Sequence, residues 1–230
     1  MLKNDRRQGV QDLLDRFFRM QNNLLKETER LEKMLWEENK LRQQGYCFIA
    51  GLDEAGRGPL AGPVMAAAVI LKPGTIIKHL NDSKQLTAKR REFLFEKIVV
   101  EAQAYGLGSA SPEEIDRTNI HEASLLAMNR ALEKMPQRPD YLLVDGFTLR
   151  SNPCKQKAII HGDEISLSIA AASVLAKVAR DDLMLKLHKT YPQYGFDRNK
   201  GYGTLEHRQA IAKYGLCPEH RKTFRLKENS

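Results

Sequence analysis

Residues 49–71 read Ile49-Ala-Gly-Leu-Asp53-Glu54-Ala-Gly56-Arg57-Gly58-Pro-Leu-Ala-Gly62-Pro-Val64-Met-Ala-Ala-Ala-Val-Ile-Leu71. Two apolar runs of strand length, Tyr46 to Leu52 and Val64 to Leu71, flank a connection punctuated by Gly and Pro. Strands joined so closely are most simply antiparallel neighbours, which puts Asp53 and Glu54 where a buried strand ends. Adjacent strand residues point to opposite faces. A site shared by both carboxylates therefore needs a twist or bulge at that end, for which the glycines supply freedom. Two carboxylates beside a sheet core lose solvation and repel each other unless a cation or a proton compensates. Hard divalent ions suit such oxygen ligands. Gly56, Gly58 and Gly62 let backbone N–H groups approach an anion, and Arg57 adds a planar fork of donors. A metal site beside an anion-binding loop points to phosphate chemistry.

Working outward, Tyr141-Leu-Leu-Val144-Asp145-Gly146 reads as a strand buried on both faces, with Asp145 at its C-terminal end. Open α/β sheets build their sites at strand C-termini, so Asp145 is a candidate to join Asp53 and Glu54. Strands are also expected over Ala102 to Ser109 and Lys157 to Ile160. Helices are expected over Ala88 to Glu101, from Ser111-Pro112 onward, over Ile165 to Leu185 and over Thr204 to Tyr214. Four acids compete for a fourth place in the cluster: Asp163, Glu164, Asp181 and Asp182. Spacing alone does not choose among them. Asn81, Ser83 and Lys84 precede a helix, as in a segment that holds a phosphate, although an ordinary capping loop has the same composition. Lys177 and Arg180, near one helix face, are candidate grips on backbone phosphates. From Tyr191 to Thr204 aromatics, glycines and positive charge alternate, which suits stacking on nucleic-acid sugars and bases.

The 230 residues, 42% of them hydrophobic, suffice for one substantial core plus an appendage. The formal net charge of +8 is unevenly placed: from Lys177 to the end, twelve Lys and Arg stand against six Asp and Glu. That asymmetry points to a polyanionic partner. No apolar run reaches membrane-spanning length, and no apolar segment of signal type follows the N-terminus, so a soluble cytoplasmic chain with no membrane partner is expected. Cys47, Cys154 and Cys217 are too widely spaced for a disulfide framework or a zinc pattern. In residues 1–44, Val10, Leu13, Phe17, Met20, Leu24, Leu31, Met34 and Leu41 form an apolar helical stripe that Glu27 and Glu38 interrupt. The ten basic and eight acidic residues there nearly balance, so packing on the body or on a protein partner fits better than nucleic-acid binding.

The run Gly51 to Val64 resembles the signature of the type 2 ribonucleases H, the ribonuclease HII family. Leu80-Asn81-Asp82-Ser83-Lys84 is similar to a substrate-contacting loop of those enzymes. Asn199-Lys-Gly-Tyr202-Gly-Thr204 and His220-Arg221-Lys-Thr-Phe224 match as well. The resemblance covers about Tyr46 to Phe224 and leaves out the N-terminal helix. It implies an α/β, ribonuclease H-like mixed sheet flanked by helices, with a helical C-terminal lobe, over 45–230, behind an N-terminal amphipathic helical extension over 1–44. It implies a metal-dependent endonuclease that hydrolyses the RNA strand of RNA–DNA hybrids and cuts 5′ of ribonucleotides embedded in duplex DNA. Two divalent ions, Mn2+ or Mg2+, would be held by Asp53, Glu54, Asp145 and Asp163, about 4 Å apart with substrate bound. Asp163 is chosen because the family has Lys-Gly-Asp before its Ser-Ala-Ala-Ser helix; His161 departs from that pattern. The family further implies that backbone groups of Gly56, Arg57 and Gly58, with Tyr202, read the 2′ hydroxyl; phosphate contacts from Lys84, Lys177 and the C-terminal segment are expected only to position the duplex. A junction resolvase on the same fold, or a non-catalytic hybrid-binding protein, would share the acids and the basic groove.

Overall fold

The computed structural model describes residues 7–80, 83, 86–150 and 152–224. Asn81 and Lys84, the candidate phosphate contacts ahead of the helix, lie outside these residues. Five strands form one mixed sheet among the described residues: β1 (Ile49–Ala55), β2 (Val64–Leu71), β3 (Ala102–Ala110), β4 (Tyr141–Asp145) and β5 (Lys155–Ile159), in the order β3-β2-β1-β4-β5. As expected, β1 and β2 are antiparallel, while β4 runs parallel to β1 and to β5.

One difference matters for the site. The first strand does not end before its acids but continues through them, in regular register with Asp53 opposite Ala67 and Glu54 opposite Ala66. No bulge is used there. The ladder to β4 stops at Leu52 and Val144, so the last residues of β1 continue along β2 alone.

The helices are α1 (Gln8–Met34), α2 (Trp36–Gln43), α3 (Ala88–Glu101), α4 (Pro112–Arg117), α5 (Ile120–Glu133), α6 (Gly162–Ile165), α7 (Leu167–Thr190), α8 (Phe196–Asn199) and α9 (Leu205–Tyr214). Leu52, Ala66 and Ile70 pack on Ala127, Met128 and Ala131 of α5 on one face. On the other, Ala67, Val69 and Leu71 pack on Leu94 and Ile98 of α3 and on Ala171, Val174 and Leu175 of α7. Burying each large side chain contributes about 1.5–3 kcal/mol relative to exposure. α7 lies so close to the sheet that a Cβ on Gly51 would stand 2.1 Å from the carbonyl carbon of Ser168. Asp53, two residues along on the same face, is thereby aimed at α7.

The helix expected from Ile165 starts later, because Ser166 is extended and caps α7, its hydroxyl accepting from the Ile169 N–H at 3.3 Å. Asp163 consequently sits in the separate short helix α6 and does not enter α7.

The N-terminal helices dock on this body through their second half. Leu31 and Met34 join the core beneath α3 and α7, and Leu41 packs with Ile49, Leu143 and Ile169. The two acids that interrupt the stripe are anchors. Glu38 Oε1 accepts from the Ser166 hydroxyl (2.7 Å), the Ser168 hydroxyl (2.7 Å) and the Ser168 N–H (3.0 Å) at the start of α7. Glu27 accepts from the His79 N–H at 2.6 Å and pairs with Arg30. The C-terminal lobe has its own small core of Ala61, Met184, Tyr194, Phe196, Ala210 and Ile211. No helix of the described residues is long and apolar enough to cross a membrane.

Candidate active site

At the sheet end, Asp53, Glu54, Gly56, Arg57, Gly58, Asp145, Phe147, Ser83, Ser173, Lys177 and Tyr202 line one cleft of about 450 Å3. Asp53 is buried. One of its oxygens accepts from the Glu54 N–H at 2.7 Å, and Ser173 of α7 hydrogen-bonds to it. Burial, then the negative charges of Glu54 and Asp145, push the Asp53 carboxyl well above the usual carboxylate range. Glu54 accepts from Arg57 Nη1 at 3.0 Å, and that guanidinium lies over the Phe147 ring, 5.4 Å from its centroid. Asp145 Oδ1 accepts from the Gly162 N–H at 2.7 Å, which ties the end of β4 to α6. The next residue, Asp163, is buried in the first turn of α6.

These side chains hold the chemistry of a hard-cation site. Among the described residues no three His, Cys, Asp or Glu side chains converge closely enough to share one ion: Glu54 is turned to Arg57 and Asp145 to Gly162. The donor set nevertheless fits a divalent cation, because the condition that raises Asp53, burial beside two further carboxylates, is the one such a cation reverses.

The loop after β1 is built for close approach. Gly56 has φ +95° and lies against the Arg180 side chain and the Pro63 carbonyl, where a Cβ would stand within 2.0 Å of Arg180 Nε. Gly58 is exposed, and the Tyr202 ring stands opposite it, with Cε1 3.8 Å from where a Cβ would be. Tyr202 itself is 46% exposed.

Some sequence candidates sit elsewhere or act differently. Arg180 does not line the cleft; it is fully buried, donating to the carbonyls of Pro63 (3.1 Å), Lys200 (3.0 Å) and Ala61 (3.1 Å). It ties the glycine-rich loop after β1 to the loop that precedes Tyr202 and, buried there, does not present its guanidinium at the surface as a phosphate grip would. Lys177 does line the cleft but donates to Asp181 at 2.7 Å, and Asp181 also pairs with Arg91 at 3.6 Å. Burial lowers the Lys177 ammonium from its usual range. Ser83 is buried with its hydroxyl 2.9 Å from that of Ser173. The closing segment also departs from a simple phosphate-binding role: Arg221 is buried and donates to the carbonyls of Gly56 (2.6 Å), Arg57 (3.0 Å) and Gly62 (2.8 Å).

Ser173 and Phe147 line the cleft and are neighbours that the sequence reading missed, while Arg221 was read only as part of a basic closing segment. For Ser173 a signal existed, a hydroxyl within an alanine-rich helix. Phe147 carried none that distinguishes it from an ordinary core residue.

A family model described as Ribonuclease HII matches residues 50–227, and one described as Ribonuclease HII N-terminal domain matches residues 1–42. The likeness therefore extends over the N-terminal helices, which the motif resemblance had left out. Ribonuclease HII of Desulfitobacterium hafniense (strain DSM 10664 / DCB-2) is 52% identical over 220 residues, covering 96% of this chain and 85% of that protein. Ribonuclease HII of Clostridioides difficile (strain 630) is 49% identical over 224 residues, covering 97% and 88%. The crystal structure of ribonuclease H2 from Pyrococcus horikoshii OT3 superposes with a TM-score of 0.66 at 27% identity, over 77% of this chain and 94% of that one. The enzyme in the PCNA:RNase HII complex from Archaeoglobus fulgidus superposes with a TM-score of 0.64 at 25% identity, over 80% and 98%. With two models spanning both its segments and relatives near half identity along most of its length, the chain belongs to the ribonuclease HII family and is a ribonuclease H-type hydrolase.

Proposed function

We propose that this chain hydrolyses the RNA strand of RNA–DNA hybrids and cuts duplex DNA 5′ of an embedded ribonucleotide, leaving 5′-phosphate and 3′-hydroxyl ends. The observation that carries the reading is the single cleft in which three acids, Asp53, Glu54 and Asp145, face the exposed Gly58 loop and the Tyr202 ring.

Asp53, Glu54, Asp145 and, from α6, Asp163 would hold two divalent ions, Mg2+ or Mn2+. Such ions, when bound, lower the pKa of a water and stabilise the leaving oxygen of an in-line displacement. Burial and the two neighbouring carboxylates hold the Asp53 carboxyl above its usual range, and a bound cation would favour its ionised form. Ser173 keeps that carboxyl oriented as the charge changes. Arg57, paired with Glu54 and resting on the Phe147 face, would offer its planar fork of donors to a phosphate oxygen. The Gly56–Gly58 backbone and the Tyr202 ring, standing opposite each other, suit a sugar between them: the backbone can hydrogen-bond the 2′ hydroxyl while the ring packs on the ribose. Lys177 adds positive charge at the rim.

End mapping tests the reading. Cleavage of a long hybrid should give 5′-phosphate and 3′-hydroxyl ends in the RNA strand. Cleavage of a four-way DNA junction lacking ribonucleotides would favour a resolvase, and tight hybrid binding with no turnover would favour a binding module.

A further inference from the structure

Beneath Tyr202 lies a buried chain of polar groups that no step above uses. His207 Nδ1 lies 2.9 Å from the Tyr202 carbonyl, His207 Nε2 lies 3.1 Å from His220 Nε2, and His220 Nδ1 lies 2.9 Å from the Cys217 N–H and 3.1 Å from its sulfur. His207 and His220 are 0% and 1% exposed, enclosed by the Tyr194 and Phe196 rings.

Proton placement follows from donor and acceptor identity. A carbonyl only accepts, so His207 carries its proton on Nδ1 and leaves Nε2 as an acceptor. His220 must then donate from Nε2, which leaves its Nδ1 to accept from the Cys217 N–H and thiol. The Cys217 carbonyl, 3.3 Å from that Nδ1, already accepts from the His220 N–H at 3.0 Å and makes no competing demand. Every contact in the chain is satisfied by two neutral imidazoles in opposite tautomers. Protonating either ring would set two N–H groups against each other or against the Cys217 N–H. Burial holds both imidazoles below their ordinary range, His220 down to about 4.

The strut stands beside the clamp on the opposite loop. Arg221, the residue after His220, grips the carbonyls of Gly56, Arg57 and Gly62. The Leu60 N–H donates to the Gly201 carbonyl (2.8 Å), the Arg221 N–H donates to the Leu60 carbonyl (2.8 Å), and Ala61 bridges His220. One dipeptide thus touches both halves of the groove: His220 reaches the tyrosine loop through His207, and Arg221 holds the glycine loop directly.

We infer that His207 and His220 are positioning residues for ribonucleotide recognition: a strut of fixed tautomers that sets the Tyr202 ring at its distance from the Gly56–Gly58 backbone. This rests on the reading that Tyr202 packs on the ribose, and the test separates the two. On a duplex with one embedded ribonucleotide, Tyr202→Ala and His207→Ala should each lower kcat by about tenfold or more, as misplacement of a positioning group does. His207→Asn, whose amide nitrogen still reaches the Tyr202 carbonyl, should recover most of the loss. In a Tyr202→Ala background, His207→Ala should add little, because residues acting through one group are not additive. An independent full loss in that background overturns the strut while leaving Tyr202 in place. Full activity of Tyr202→Ala overturns the reading of Tyr202 and the strut's role with it. Imidazole 15N shifts of the wild-type protein near neutral pH give a readout free of folding defects. They should show His207 protonated at Nδ1 and His220 at Nε2, and an imidazolium or the reverse pair contradicts the strut.

Discussion

Replacing Glu38 with Ala tests whether the N-terminal helices are part of the catalytic body. Glu38 is 2% exposed, and its Oε1 accepts three hydrogen bonds at the N-terminus of α7, from two serine hydroxyls and one backbone N–H. The cost can be worked from what each donor does next. The hydroxyls of Ser166 and Ser168 are 3.1 Å apart and can turn to each other, so they retain a partner. The Ser168 N–H is left buried and unsatisfied, at about 1–3 kcal/mol. The helix also loses an anion at its positive end, worth up to about 2 kcal/mol when partly buried. Against this, Glu38 Oε2 is buried without a hydrogen bond, so part of the wild-type gain is already spent. The net loss should be about 3 kcal/mol, read as a change in urea midpoint at constant slope. At about 2–4 °C per kcal/mol for a chain of this size, the melting temperature should fall by roughly 6–12 °C. Glu38→Gln, which keeps an acceptor, should lose less than half of that. A loss below about 1 kcal/mol for Glu38→Ala would refute the anchoring role.

Other perturbations separate chemistry from scaffold. Asp145→Asn should still bind an RNA–DNA hybrid in a gel-shift assay yet show no cleavage at any magnesium or manganese concentration; substantial turnover would remove Asp145 from the ligand set. Arg221→Lys should lower both the melting temperature and single-ribonucleotide cleavage, since one ammonium cannot span the carbonyls of Gly56, Arg57 and Gly62; wild-type values for both would show that the fork geometry is dispensable. Stability should respond to pH in a defined window: His220 titrates near 4 in the folded chain against about 6.5 unfolded, so the unfolded state takes up the proton first. Its contribution is complete above about pH 6.5 and lost as pH falls toward 4, at up to about 1.4 kcal/mol per pH unit, and a flat urea midpoint from pH 7 to 5 would contradict this. Hybrid affinity should fall steeply with salt as counterions are taken back, and a flat dependence would mean that few phosphates are neutralised.

Much of the fold was legible because its signals were local. The two apolar runs around Asp53, the double-buried run ending at Asp145 and the capping Ser111-Pro112 each carry their own pattern. What failed was boundary and depth. Nothing local says that β1 runs on through two acids, because that depends on β2 continuing beside it after β4 has ended. Nothing local separates Arg180 and Arg221 from the surface cations around them either, although both are buried under loops whose carbonyls need donors. In the site, the acids were legible as carboxylates that a core would not otherwise tolerate. The support under them was not: Ser173 meets Asp53 only through the packing of α7 on Gly51, and Glu38 reads as a flaw in an apolar stripe until Ser166 and Ser168 are seen above it.

The most direct measurement compares a DNA duplex containing one ribonucleotide with the same duplex in all-deoxy form, in magnesium, in manganese and in chelator. A metal-dependent cut on the 5′ side of the ribonucleotide, with the all-deoxy duplex intact, is the expected result. Cutting of both duplexes, or cutting that persists in chelator, would contradict a carboxylate-held ion site that works beside a 2′-hydroxyl reader.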